Sequence, residues 1–427
     1  MTARAPIGDA GSALMGLALA AFYAGLLLNG GLEKAAAAGI LVMGLVSWVR
    51  DAETRRALAA QTGLFLAFAA LPLAAALSWL VNGMPDDGLK MLGKYARFLL
   101  VIPAYAGLWR WLRPQALWDG LLLAAAILAL WNAAEALQLV DLCPAQECWS
   151  WRVSGAVHPI QYGGLSFALA AMLLAGMPVF FSRSRRLGLT AAAGATLVLF
   201  GALGSGTRIV YLALLPTLLC WGLLCGWRGA AIRRQAAGAL IGVACAASLA
   251  WPMIHLRTEQ ALMDFAAYQR QDYVNTASIG DRLLYWQVSL EILVESPWTG
   301  VGPGQFRAAA LERAVPGQFP GGVPSHPHSE YWSAASTRGL VGLLALVAAL
   351  ALPGLMFLLS YGRTGSPVAL AGVLMVLAIA QLALTESIFQ FSSFNAFYVM
   401  TVAVLAAMLE RTPPELRADD PAYKIAG

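Results

Sequence analysis

Three polar side chains that lie far apart in the sequence could do chemistry at one face of a membrane. Arg208 follows Gly-Ser-Gly-Thr at the mouth of an apolar run, where an arginine usually has an anionic partner. Arg282 opens an amphipathic stretch, and His328, one of four histidines, precedes another apolar run. A neutral imidazole near its own pKa is suited to removing a proton from a hydroxyl group. The three residue types are those of an anion-binding site with its own general base.

Each of these residues also has a purely structural interpretation. Arg208 could extend toward lipid headgroups, and Arg282 could form a salt bridge with Asp281 or with another nearby carboxylate. His328 could be a loop histidine bonded to the backbone. His326 lies two residues before His328, and such a pair could suggest a metal site. We find no carboxylate or cysteine set in the sequence that would complete it, and we predict neither a metal ion nor another cofactor.

Further charged residues could contact a substrate. Arg152 lies in a separate outer loop and could bind substrate or stabilise the loop. Lys90, Lys94 and Arg97 recur three and four residues apart, so they share one face of a predicted helix. They could hold phosphate groups of a substrate or lie at lipid headgroups. Glu135 is an intramembrane carboxylate, which is either functional or held by structural partners.

A membrane must position all of these residues. The chain has 427 residues, of which 59% are hydrophobic and 12% charged, with a mean hydropathy of +0.67. Soluble domains carry about 25% charged residues, so the composition excludes an ordinary soluble enzyme. The basic residues form short clusters and not the long stripe that binding of nucleic acid requires. The composition therefore predicts a membrane protein in contact with lipids and not with nucleic acid.

Apolar runs that can cross about 30 Å of hydrocarbon predict an all-α polytopic protein with about twelve membrane-spanning helices. The second and fourth runs are short for a full crossing, and the first has no cleavage pattern and is expected to remain as a helix. The predicted spans are 11–29, 35–49, 63–81, 98–109, 117–137, 162–181, 187–203, 209–227, 236–254, 339–360, 367–385 and 389–409.

The distribution of Lys and Arg predicts the orientation. With the N-terminus inside, most of these cations fall in short loops on the inner side, so the positive-inside rule places both termini in the cytoplasm. The one long hydrophilic segment then lies outside, and we expect it to carry the chemistry. The predicted organisation is nine spans in 1–254, a helical periplasmic loop in 255–338, three spans in 339–410 and a cytoplasmic tail in 411–427.

The cysteines divide by their predicted location. Cys220, Cys225 and Cys245 lie within apolar runs, where a thiol is usually a small buried hydrophobic group. Cys143 and Cys148 share a short outer loop, where an oxidising compartment would permit a disulfide between them.

The order of motifs between Gly204 and Gly342 resembles that of the O-antigen ligase and polymerase superfamily. A Thr-Arg pair at a helix mouth is followed by Arg-Leu-Leu-Tyr-Trp, by Ser-Pro-Trp-Thr-Gly-Val-Gly-Pro-Gly-Gln-Phe and by His-Ser-Glu-Tyr-Trp. The long outer loop late in twelve spans is most similar to that of the O-antigen ligases. Many members have Ser-Arg at the helix mouth and Asn after the motif histidine, whereas this chain has Thr207-Arg208 and Ser329.

The resemblance implies a GT-C-like glycosyltransferase of the bacterial inner membrane with its active site facing the periplasm. Such enzymes transfer a glycan from undecaprenyl pyrophosphate to the lipid A core, without a metal ion and with inversion of the anomeric centre. The implied roles are a pyrophosphate clamp for Arg208 and Arg282 and a general base for His328. Arg152 and the cluster of Lys90, Lys94 and Arg97 are then candidates for binding of the donor and of the lipid A core acceptor.

Other functions remain open at this point. An O-antigen polymerase would use a second carrier-linked glycan as the acceptor, and a protein O-oligosaccharyltransferase would use a protein. A transporter or flippase could also have twelve spans with both termini inside. Transporters tend to show two similar halves with broken helices at matching positions, a pattern that this sequence lacks.

Overall fold

The computed structural model describes residues 9–28, 31–139, 152–226, 230–272, 278–314, 319 and 322–410. Within these residues the chain is all-α, without a strand, which confirms the predicted fold class. The predicted cysteine pair of the 143–148 loop lies outside the described residues. The α-helices are α1 (Asp9–Leu28), α2 (Leu32–Arg50), α3 (Ala52–Ala60), α4 (Thr62–Val81), α5 (Asp86–Ala96), α6 (Val101–Trp111), α7 (Pro114–Ala136), α8 (Pro159–Arg183), α9 (Arg185–Gly204), α10 (Arg208–Gly226), α11 (Ala230–Leu249), α12 (Trp251–Gln269), α13 (Ser278–Glu295), α14 (Phe306–Arg313), α15 (Glu330–Thr364), α16 (Pro367–Thr385) and α17 (Ser392–Leu409).

Ten of the described helices are long and apolar enough to cross a membrane, and a bent pair raises the number to eleven. The bent pair is α11 and α12, which meet at an angle of 69°. Pro252 lies in the first turn of α12, and it has no N–H group that could continue the hydrogen bonding of α11 across the break. The predicted span 236–254 is therefore divided at residue 250, and the helix continues in a new direction.

The fourth predicted span, 98–109, accounts for the remaining difference from twelve. The chain here forms a short 3-10 helix, Arg97–Leu100, and then α6, which has only 11 residues. A crossing needs about 20 residues, so α6 does not span a bilayer by itself. It packs against α2 and α17 inside the bundle, and the 3-10 helix joins it to the amphipathic helix α5.

The buried centre of the bundle contains α8 and α17. In each of them, 78% of the apolar segment is buried against other helices, compared with 17% in the peripheral helix α2. α8 packs against α9 and α16, and α16 packs in turn against α15. This packing brings the first residues of α8, α10 and α15 and the last residue of α16 to the same end of the bundle.

α15 is kinked at Gly339, where φ is 63° and ψ is −160°. Such a break frees carbonyl groups of the preceding turn, which must find other donors in an apolar environment. The glycine-rich loop supplies these donors, because Val301 N and Gly302 N donate to Ser336 O and Thr337 O, each at 3.0 Å. The loop therefore completes the broken helix, and the predicted domain boundary at 338/339 falls at this kink.

We expect Gly339→Ala to lower the thermal midpoint of the protein in detergent. The backbone conformation at this position is almost restricted to glycine and costs other residues about 1–3 kcal/mol. A Cβ atom there would also lie 2.3 Å from the Trp298 carbonyl carbon. Gly362→Ala, on the same helix, is the control because its Cβ would meet no atom within 4 Å. Equal midpoints for the two variants in a thermal unfolding assay would contradict this account of the kink.

Candidate active site

The structure brings Arg208, Arg282 and His328 to one end of the bundle, around a carboxylate that sequence analysis did not single out. This carboxylate is Glu386, directly after α16. His328 Nδ1 lies 3.1 Å from Glu386 Oε1, and Arg282 Nη2 lies 3.5 Å from Glu386 Oε2. Arg208, Arg282 and Glu386 line the same cavity of about 80 Å³. Residues of α10 and α13 thus meet the residues that directly precede α15 and directly follow α16.

Arg208 is positioned by a tight turn between α9 and α10. Gly206 has a φ of 66° in this turn, and Thr207 Oγ1 donates to Pro159 O at 3.1 Å. Arg208 Nη1 lies 3.8 Å from the buried carboxylate of Asp264. Among the described residues, Arg208 Nε and Nη1 make no hydrogen bond although both are buried. These donors are therefore available to an anion that enters the cavity.

Two further arginines line the same cavity. Arg152, which sequence analysis proposed, donates from Nε to Ser205 O. Arg257, which it did not propose, donates from Nε to Gly206 O at 3.0 Å. Burial, together with the neighbouring charge of Arg257, lowers the pKa of Arg152 to about 10. Four guanidinium groups and one carboxylate therefore line the cavity, which gives it a positive potential suited to a polyanion.

The backbone of His328 is in a left-handed conformation, with φ at 50°. This conformation is uncommon for residues other than glycine and occurs preferentially at functional sites. Trp286 Nε1 donates to Pro327 O at 3.1 Å, and Ser329 begins α15 as its N-cap. The side chain of His328 is 31% exposed. Because Glu386 engages Nδ1, Nε2 is the ring nitrogen that remains for proton transfer.

Glu386 is almost fully buried, with 3% of its side chain exposed. Burial opposes ionisation of this carboxyl, but the hydrogen bond from His328 and the charge of Arg282 outweigh it and hold the pKa below its usual value. The carboxylate is thus ionised and can orient the imidazole of His328. Its place at the end of the apolar run 367–385 was the signal in the sequence, because an acidic residue at a membrane boundary is usually functional or paired.

A carboxylate lies close to the histidine pair, contrary to our expectation from the sequence. We expected no carboxylate near the histidine pair, but potential ligand atoms of His326, His328 and Glu386 lie within 4.8 Å of one another. Burial and the neighbouring His328 lower the pKa of His326 to about 4, so this ring is neutral at physiological pH. Arg282 already lies beside the carboxylate, and its charge opposes binding of a cation at the same position.

Comparison with known families assigns the segment that carries this cluster. Residues 193–347 match the family model described as O-antigen ligase. The chain carries an O-antigen ligase family domain. Members of this family are membrane glycosyltransferase-like enzymes of the ligase and polymerase type. The chain has no match among curated proteins. Arg208, Arg282 and His328 lie inside the matched segment, whereas Arg152 and Glu386 lie outside it.

A buried ion pair stabilises the start of α15, close to His328. Glu330 and Arg338 are both fully buried, with Glu330 Oε1 3.4 Å from Arg338 Nη2. Phe389 N donates to Glu330 Oε2 at 3.1 Å, and Tyr95 OH donates to Glu330 Oε1 at 3.3 Å. Glu330 N also donates to Glu386 O at 3.2 Å. These bonds fix the start of α15, and with it His328, against the segment that carries Glu386.

The proposed lysine and arginine cluster on α5 is divided by the structure. Lys94 lies next to the segment between α16 and α17 that also carries Glu386, with Nζ 3.5 Å from Gln390 Oε1. Burial and the nearby charge of Arg97 lower the pKa of Lys94. Lys90 points away: its side chain is 82% exposed and lies 3.7 Å from Asp87. Of these two lysines, Lys94 is therefore the one that lies near the segment carrying Glu386.

The sequence left a functional and a structural role open for Glu135, and its hydrogen bonds support the structural one. Its carboxylate accepts hydrogen bonds from Ser154 N at 3.0 Å, Gly155 N at 3.4 Å and Trp131 Nε1 at 3.1 Å. The same short loop carries Arg152. Glu135 therefore holds the loop that presents one of the four cavity arginines.

Proposed function

We propose that the chain is an O-antigen ligase, which transfers a glycan from undecaprenyl pyrophosphate to the lipid A core at the periplasmic face of the bacterial inner membrane. The observation that carries this proposal is a cavity lined by four arginines and by the buried Glu386, whose carboxylate also contacts the half-buried His328. The arginines can neutralise the charge of an anionic leaving group. His328, oriented by Glu386, can take the proton of an acceptor hydroxyl group. The O-antigen ligase match over residues 193–347 supports the same class of reaction.

The proposed reaction is a single displacement at the anomeric carbon. The acceptor hydroxyl oxygen attacks this carbon, the bond to the pyrophosphate oxygen breaks, and its electron pair leaves with the pyrophosphate. Arg208 and Arg282 neutralise the charge that develops there, and His328 Nε2 takes the hydroxyl proton. Attack on the face opposite the leaving group inverts the centre. Glu386 orients the imidazole and stabilises the imidazolium that forms.

Arg152 and Arg257 have a second role in this scheme. Each donates to a carbonyl of the turn that precedes Arg208, so they hold this turn while they add positive potential at the cavity. A pyrophosphate that enters the cavity meets a rigid, positively charged wall. Preorganised charges of this kind stabilise a transition state without rearrangement during the reaction.

A ligase differs from a polymerase or a protein O-oligosaccharyltransferase in the acceptor that it uses. A reconstituted assay identifies this acceptor. Purified protein in liposomes would be incubated with undecaprenyl-pyrophosphate-linked glycan, with and without lipid A core. We expect glycan attached to the core and no lengthening in its absence. Lengthening without the core would replace the proposal by a polymerase, and attachment to an added pilin-like protein would replace it by a protein O-oligosaccharyltransferase. Absence of transfer to any acceptor would overturn the proposed chemistry.

Lys94 is proposed to bind a phosphate group of the lipid A core acceptor. We expect Lys94→Ala to raise the KM for the acceptor about fivefold, the effect of one partly exposed charge-assisted contact, and to leave the KM for the donor unchanged. The matched control is Lys90→Ala, which removes the same group from the exposed side of α5. Steady-state kinetics with each substrate varied in turn provide the measurement. An equal change in both variants would remove Lys94 from the acceptor site.

A further inference from the structure

A second, larger cavity lies between α8, α9, α10 and α11, in the apolar part of the bundle. Its volume is about 860 Å³, and its wall is mostly apolar, with Phe167 and Leu174 on α8, Leu199 on α9, Leu214 on α10 and Val243 on α11. Small residues leave this space open, because the facing sides of α9 and α11 are rich in alanine and glycine. A wall with so few polar groups suits an apolar occupant, because a polar one would lose hydrogen bonds there.

The larger cavity and the arginine-lined cavity are lined in part by the same helices, α8 and α10. α10 begins with Arg208 in the arginine-lined cavity, and six residues later, about 9 Å along the helix, Leu214 lines the larger one. α8 likewise contributes Ile160 to the first cavity and Phe167 to the second. From Leu199 to Arg185, the wall extends about 21 Å along α9 toward the opposite end of the bundle. A molecule with an anionic head and a long apolar tail matches this arrangement.

We propose that the larger cavity holds the polyprenyl tail of the donor while its pyrophosphate lies among the arginines. This inference rests on the proposed function, which makes the donor a polyprenyl pyrophosphate. Bilayer lipid is as apolar as the wall of the cavity, so the cavity acts by orienting the tail and not by removing it from water. A fixed tail determines the direction from which the anomeric carbon approaches His328, and such positioning is a large part of catalysis.

Gly238 offers a direct test, because it lines the cavity and a Cβ atom there would meet no atom within 4 Å. The Gly238→Phe variant should therefore place a ring in the cavity without displacing the backbone. Gly222→Phe, on α10, is the matched control: a Cβ there also meets open space, and Gly222 is not among the cavity residues. Both variants would be assayed with an undecaprenyl-linked donor and with a geranyl-linked donor, whose tail is too short to reach Gly238.

We expect Gly238→Phe to lower kcat/KM for the undecaprenyl donor about tenfold, while activity with the geranyl donor stays within about twofold of the unmodified protein. Gly222→Phe should leave both activities unchanged. Unchanged activity of Gly238→Phe with the long donor, or an equal loss with both donors, would overturn the tail site.

A labelling experiment separates this inference from the proposed reaction. A photoreactive undecaprenyl pyrophosphate without a glycan should label peptides of α8 to α11 in the unmodified protein and not in Gly238→Phe. If the unmodified protein transfers no glycan but shows this labelling, the proposed function fails and the tail site stands. If a photoreactive phospholipid labels the same peptides equally well, the cavity is an ordinary lipid site and the inference fails.

Discussion

His328→Ala is expected to lower kcat for glycan transfer about 10²–10⁴-fold, with the KM for the donor nearly unchanged. A sugar hydroxyl is a poor nucleophile, and His328 Nε2 is the proposed acceptor of its proton. The pyrophosphate contacts are made by arginines, so donor binding should survive the change. Single-turnover and steady-state assays on purified protein in liposomes measure both quantities. His255→Ala is the control, because that histidine is about half exposed and lies beside Glu259.

The role of Glu386 is tested in the same assays. Glu386→Gln keeps the size of the side chain but removes the charge that orients the imidazole, and losses of this kind are about 10–100-fold in kcat. Glu386 acts mainly through His328. Glu386→Gln should therefore lower kcat much less in the His328→Ala variant than in the unmodified protein. Full activity of His328→Ala would remove the general base from the mechanism, and full additivity would show that Glu386 acts independently.

Arg208→Ala and Arg282→Ala are each expected to lower kcat/KM about 10²–10³-fold, which is the usual effect of removing one preorganised donor to developing negative charge. Arg208→Lys should retain part of the activity, since it keeps the charge and loses the paired geometry of the guanidinium group. The same kinetic assay measures these variants, with membrane abundance determined by immunoblot.

Arg307→Ala is the matched control for these two substitutions, because Arg307 is an exposed arginine in the same long segment between α12 and α15. It should leave kcat/KM unchanged. If both alanine variants retained the activity of this control at equal abundance, the pyrophosphate clamp would have to be assigned to other residues. A loss confined to one of them would assign the clamp to that arginine alone.

The sequence by itself determined the class of the protein and the residue types at its site. Long apolar runs predict membrane helices because the cost of exposing backbone groups to lipid is local to each run. Arg208, Arg282 and His328 stand out for a similar reason. An ionisable residue at a membrane boundary is energetically costly, so its position in the sequence is enough to mark it. These predictions required no knowledge of how the helices pack.

Only the tertiary structure decided which groups complete the site. Glu386 directly follows α16, whereas Arg257 and Asp264 both lie on α12. Nothing in the sequence near these residues specifies that the two regions meet at one end of the bundle. The division of the ninth predicted span and the use of the glycine-rich loop to complete α15 depend in the same way on contacts between distant segments. Hydrophobicity acts along the chain and can be predicted from it, whereas the pairing of buried charges depends on which helix faces lie together.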